Sequence, residues 1–95
     1  MPAYVIVEID VHDPVRYEDY KTMSTQSLAR HDGRFIVRGG TVETLEGEWQ
    51  PGRLVVLEFP SVAKAHEWWA SDDYAPAKAL RQDTATTRMI LVGGA

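Results

Sequence analysis

The chain has 95 residues, 44% of them hydrophobic and 25% charged, with a formal net charge of −4 and a pI near 5.2. That length suits a single domain over residues 1–95 burying roughly 60 to 65% of its unfolded surface, and the mixture excludes a disordered, low-complexity or collagen-like chain. The acidic balance speaks against a nucleic acid or an anionic membrane as partner, because both are met by clustered Lys and Arg.

Ala3–Val11 is rich in Val and Ile and predicts the first strand, with Val5, Val7 and Ile9 on one face and Tyr4, Ile6, Glu8 and Asp10 on the other. Asp13-Pro14 then supplies a capping carboxylate and a proline suited to the first helical position. The helix should run from Pro14 to Arg30, with Tyr17, Tyr20, Met23 or Ser24, and Ser27 or Leu28 at helical spacing and Gly33 as the stop.

A second strand begins at Arg34, is interrupted by Gly39-Gly40 and resumes over Thr41–Leu45, before a turn from Gly47 to Gly52. Adjacent glycines in a strand mark a bulge or a close backbone approach. The third strand, Arg53–Phe59, ends at Pro60-Ser61, where Ser61 caps a helix reaching Trp68-Trp69. Ser71-Asp72-Asp73 reads as a second cap, and Pro76 close behind it supports a break there, since a proline deep in a helix costs about 3 kcal/mol. Arg88–Val92 is the last strand, closed by Gly93-Gly94.

The order β-α-β-β-α-β has one common solution, a ferredoxin-like α+β fold with a four-stranded antiparallel sheet and its helices on one face. The first and third strands are then central neighbours. Val5, Val7, Ile9, Val55, Leu57 and Phe59 face the helices, while Tyr4, Ile6, Ile36, Leu54, Val56, Ile90 and Val92 lie on the open face together with Glu8 and Glu58. A contiguous apolar patch of this kind marks an interface, and a homodimer is the economical partner. Covering the sheet would sequester both carboxylates, which then need a cation. Arg34 and Arg38, which alternate onto the side of Ile36, are the candidates, and losing one member of such a buried pair costs about 3 to 5 kcal/mol.

Several blocks carry a resemblance: Ala3–Val7, Arg34–Gly40, Leu45–Trp49, Arg53–Ser61 and Trp68–Tyr74. In order and spacing, over essentially the whole chain, they are similar to a small bacterial family known as domain of unknown function thirteen-thirty. Arg38, Gly39, Gly40, Glu46, Gly47, Arg53, Glu58 and Tyr74 match its typical positions; Trp69, where the family often has Tyr, and Pro76 depart from it. The resemblance implies a dimeric α+β barrel, two protomers whose sheets enclose a cavity. It implies no activity, for barrels of this architecture include muconolactone isomerase-like enzymes, cofactor-free quinone-forming monooxygenases and haem-binding peroxidases.

Among chemical groups, His31 stands at the end of the first helix, placed either to act as an acid or base or simply to meet the negative end of the helix dipole. His12, His31 and His66 lack the short spacing of a metal site, the absence of cysteine removes thiolate chemistry, and no metal or cofactor is expected. Tyr17 and Tyr20 read as packing residues; Gly39-Gly40 has no phosphate-loop context, and the serines have no nucleophile-elbow context.

The leading reading is a homodimer that binds or transforms a small organic molecule in a cavity over the sheet. Arg38, Glu8, Tyr4 and Tyr74 would contact the ligand, and His31 or Glu58 would move a proton. The competing reading is a non-catalytic dimeric interaction module in which the same charges set the register; a third is haem binding through His31 or His66. With neither a basic leader nor an apolar run long enough to cross a bilayer, the chain is expected to be cytoplasmic.

Overall fold

The computed structural model describes residues 1–95. Its elements are β1 (Ala3–Val11), α1 (Pro14–Arg30), β2 (Arg34–Arg38), β3 (Arg53–Phe59), α2 (Val62–Trp69), α3 (Ala75–Thr84) and β4 (Ala85–Gly93). The strands form one antiparallel sheet in the order β2-β3-β1-β4, the ferredoxin-like arrangement expected from the element order. All three helices lie on one side, packed over fourteen buried residues that include Val5, Val7, Ile9, Val55, Leu57, Phe59, Trp68 and Tyr74.

Local chemistry explains the boundaries. The Asp13 carboxylate accepts from the Arg16 N–H at 3.2 Å with Pro14 inside the first turn, and Ser61 Oγ accepts from the Lys64 N–H at 3.1 Å. The break between α2 and α3 rests on Ser71, whose Oγ donates to the Trp68 carbonyl at 2.8 Å and accepts from the Tyr74 N–H at 3.1 Å. One hydroxyl thus closes one helix and primes the next. At the end of α1 the left-handed residue is Asp32, with φ 60°, rather than Gly33. Gly33 is required for room instead: a Cβ there would stand 2.6 Å from Phe59 Cε1 and 2.8 Å from Leu28 Cδ2.

Three expectations need correction. Residues 41–45 do not resume the strand; after Gly39, which takes φ +73°, the chain leaves the sheet and returns only at Arg53. The bulge lies earlier than the glycines, between Phe35 and Val37, so that Arg34 faces Glu58, Phe35 faces Leu57, Val37 faces Val56 and Arg38 faces Val55. One extra residue reverses the alternation beyond it. Arg38 is therefore on the helix side of the sheet, and of the two candidate cations only Arg34 shares the open face with the glutamates. The last strand also starts at Ala85 rather than Arg88, because β4 pairs with β1 along all nine residues from Ala3 to Val11.

Candidate functional site

The open face carries Tyr4, Ile6, Leu54 and Val56 at its centre, with Ile36, Val37, Ile90 and Val92 on the edge strands left 41 to 61% exposed. Glu8 and Glu58 are on this face but are not adjacent: Glu58 lies opposite Tyr4, and Glu8 opposite Leu54, four residues along the strand. Each is instead met from its flanking edge strand. Arg34 donates to Glu58 from Nε at 2.8 Å, with Nη2 2.6 Å from the same oxygen, and Arg88 donates to Glu8 from Nε at 3.1 Å and from Nη2 at 2.5 Å. Arg88 sits directly across from Glu8 in the ladder, a pairing that alternation in β1 and β4 makes legible once the register is known.

The helix side treats its arginines differently. Of seven in the chain, four are paired with carboxylates: Arg16 with Asp13 and Asp83, Arg30 with Asp73, Arg34 with Glu58 and Arg88 with Glu8. Arg38, Arg53 and Arg81 are all on the helix side of the sheet, Arg81 buried, Arg53 half-buried and Arg38 exposed, and none has a carboxylate within salt-bridge distance. In an acidic protein this is a layer of uncompensated positive charge. Arg81 is only 4% exposed. Its Nε donates to Tyr74 Oη at 3.3 Å and its Nη1 to Thr87 Oγ1, while Tyr74 Oη and Tyr20 Oη share a hydrogen bond of 3.0 Å. Burial, reinforced by the neighbouring Tyr20, pushes the Tyr74 phenol well above its ordinary range, so it remains a neutral partner to the guanidinium.

Arg81 lines a cleft of about 410 Å³ between α2, α3 and the β4 edge. Its walls are mainly apolar, formed by Trp68, Trp69, Met89, Ile90 and Leu91, with His66, Gln82 and Thr87 as the other polar groups. Trp69 makes the outer wall, 45% exposed and held by Lys78, whose ammonium lies 3.9 Å from the ring centroid. Trp68 separates this cleft from a smaller cavity under α1, locked by an Nε1 donation to Ser27 Oγ at 3.1 Å and by ring contacts with Tyr74 and Phe59 at 4.1 and 5.4 Å. Size, apolar lining and a few convergent polar groups are what a small-molecule site requires.

The residues singled out from the sequence fall in three places. Tyr4, Glu8 and Glu58 share the open face; Arg38 is on the opposite side of the sheet; Tyr74 is fully buried and reaches the cleft through its contacts with Arg81 and Trp68. His31 is apart from all of them. Its Nδ1 lies 3.1 Å from Glu67 and its Nε2 3.1 Å from Asp73, a clasp tying the end of α1 to α2 and to the turn before α3. A ring flanked by two carboxylates in this way has no nitrogen left for an iron, and His66 stands on the exposed face of α2, so neither forms a ready axial haem site. No group of three or more His, Asp or Glu side chains is gathered for a metal ion.

Arg81 was not singled out and Arg53 entered only as a match to a typical family position, yet both carried a signal. Arg53 has the parity of Val55, Leu57 and Phe59, which places a charge on the core face. Arg81 falls in the helical series Tyr74, Ala77, Arg81, Thr84, every other member of which is buried.

A four-stranded antiparallel sheet with helices on one side and an open opposite face defines an α+β barrel protomer of ferredoxin-like topology. Residues 2–95 match the family model described as domain of unknown function (DUF1330), and the chain belongs to that family. Solved structures share the fold. A protein of unknown function from Rhodopseudomonas palustris superposes with a TM-score of 0.78 at 20% identity, covering 99% of this chain and 82% of that one. SnoaB, a cofactor-independent oxygenase from Streptomyces nogalater, gives 0.65 at 16% identity, covering 99% and 93%. A putative antibiotic biosynthesis monooxygenase from Nitrosomonas europaea gives 0.58 at 13%, covering 98% and 89%. Among curated proteins none matches.

Proposed function

We propose that the chain is a homodimer, joined through the open faces of its sheets, that binds a small apolar molecule bearing an acidic oxygen in the cleft between α2, α3 and β4. The observation that carries the ligand reading is Arg81: a guanidinium 4% exposed, with no carboxylate partner, in the wall of an apolar cleft of about 410 Å³. Burying an unpaired charge is costly, and an anionic ligand is the group that would offset it. Tyr74 and Thr87 serve as positioning residues that hold the guanidinium; Trp69 and Leu91 supply flat apolar contact. Similarity in fold to an oxygenase and to a putative monooxygenase is consistent with an organic substrate but assigns no reaction to this chain.

The dimer reading rests on the open face, an apolar centre flanked by two ion pairs, the usual layout of an interface core with a polar rim. Tyr4, Glu8 and Glu58 belong to that contact in this reading. The β4 edge would then place the partner beside the mouth of the cleft, since Ile90, which points to the open face, also lines the cleft.

Light scattering after size exclusion tests the first half, with a particle twice 10.7 kDa expected. For the second, thermal unfolding is followed with 2-naphthoate, salicylate and the uncharged 2-naphthamide. A carboxylate at ten times its dissociation constant raises stability by about 1.4 kcal/mol, or about 5 to 10 °C for a chain of this size. The amide should do much less, and Arg81→Met should lose the difference while Trp69→Ala weakens all three. Equal responses to acid and amide would refute the anchoring role of Arg81.

A further inference from the structure

Two further arginines without a carboxylate partner, Arg38 and Arg53, lie some way from Arg81, under α1. A small cavity of about 30 Å³ is lined there by Tyr17, Tyr20 and Val55 and bounded by Arg38, Arg53 and Lys21. Arg53 Nε is buried at its edge without any hydrogen-bond partner. The backbone has made room for this side chain: a Cβ on residue 39 would fall 2.3 Å from Arg53 Nη1 and 2.6 Å from its Cζ, which together with φ +73° explains why glycine stands there. Arg38 stacks its guanidinium 4.0 Å over the Phe35 ring and reaches Thr25 Oγ1 only at 3.5 Å, so most of its donors are unspent. The nearest acidic chain on α1, Glu18, is taken by Lys21 at 2.9 Å.

A trapped water would satisfy Arg53 Nε but leave the charge of Arg53 uncompensated; an oxyanion answers both, with the exposed guanidinium of Arg38 in reach as a second donor. The cavity admits a head group and no more. Arg38 and Lys21, which border it, also line a surface cleft of about 390 Å³ whose other lining residues are Thr22, Thr25 and Gln26, with no apolar wall. We infer that this slot binds the carboxylate or phosphate end of a small polar molecule, with Arg53 Nε and the Arg38 guanidinium donating to its oxygens and a hydroxylated body resting against the threonines and Gln26 of α1. Tyr17, whose phenol burial holds above its ordinary range, stays protonated as a further donor beside them. Arginine forks are well matched to such oxygens.

The test uses inorganic phosphate and acetate against chloride at constant ionic strength. The midpoint of thermal unfolding should rise by at least 3 °C more with one of the two oxyanions at tens of millimolar than with chloride, the larger response naming the head group. Arg53→Met should abolish that difference; Arg16→Met, which removes an α1 arginine paired with Asp83 outside the slot, and Arg81→Met should both keep it. Because a folding defect in Arg53→Met would blur the result, the wild-type chain is also titrated while the arginine Nε–H resonances are followed by NMR. One of them should move saturably with the effective anion and not with chloride. Equal responses to all three salts, or Nε–H resonances that stay put, would overturn the inference, whatever the outcome at the Arg81 cleft.

Discussion

Arg34 and Arg88 stand on the two edge strands of the open face, each opposite a glutamate of the adjacent central strand; Arg38 and Arg53, from β2 and β3 as well, point the other way and meet none. The open face has paired both of its glutamates within one chain, which is how a surface prepares to be covered without stranding those ions. The helix side has left three guanidinium groups to hydroxyls, rings and cavities. A fold that needed only stability would do the reverse, since exposed pairs contribute little and buried lone charges cost much. The imbalance therefore marks where binding is expected, and the paired face marks where packing is.

The sharpest way to break that division is to truncate one large residue on each side. Trp68 is fully buried and touches Phe59, Tyr74 and Ser27, so Trp68→Ala should destabilise the chain by about 3 to 5 kcal/mol in urea unfolding. Ile90, 61% exposed on the open face, should cost less than about 1 kcal/mol on the same replacement when measured in dilute solution. Comparable losses at both positions would mean that the open face is already buried at those concentrations, which would extend the dimer to lower concentration rather than oppose it.

A smaller effect separates surface from interface. Arg34→Gln leaves Glu58, 24% exposed, without its partner. In an isolated protomer such a pair contributes about 0 to 1 kcal/mol. If two sheets cover it, the stranded carboxylate weakens association by about 10- to 100-fold. Sedimentation of wild type and variant over a concentration series distinguishes the two, and an unchanged dissociation constant would remove the ion pair from the interface.

The parts of this molecule that the sequence made legible are those where one period runs unbroken. Alternation in β1 and β3 assigned Val5, Val7, Ile9, Val55, Leu57 and Phe59 to the core, and Asp13 and Ser61 fixed two helix starts because capping is chemistry within four residues. What escaped were features set between distant segments. The bulge at Ile36 arises from pairing β2 against β3, and nothing in Arg34–Arg38 marks it, so Arg38 was carried onto the wrong face. Likewise the partner of Glu8 is Arg88, eighty residues away, which only the β1–β4 register brings opposite. The Arg81 cleft was hidden for a further reason: it is made by the angle between α2 and α3 at Ser71, a geometry that no single periodicity encodes.

The smallest expected effect concerns the clasp around His31, which holds the helical layer together beneath both proposed sites. The hydrogen bond from His31, helped by Lys64, lowers the Glu67 carboxyl below its ordinary value of 4.5. A depressed carboxyl contributes stability that is fully present above the value of the unfolded chain and is lost as pH falls through the folded one. Glu67→Gln should therefore lower the unfolding midpoint at pH 7 and make progressively less difference as pH is taken from 5 to 3, where wild type loses the same contribution by protonation. Because Glu67 is on the surface the shift is modest, and its interest lies in the convergence of the two curves. Parallel curves across that range would show that the carboxylate's charge does not matter to the clasp and that His31 is held by packing alone.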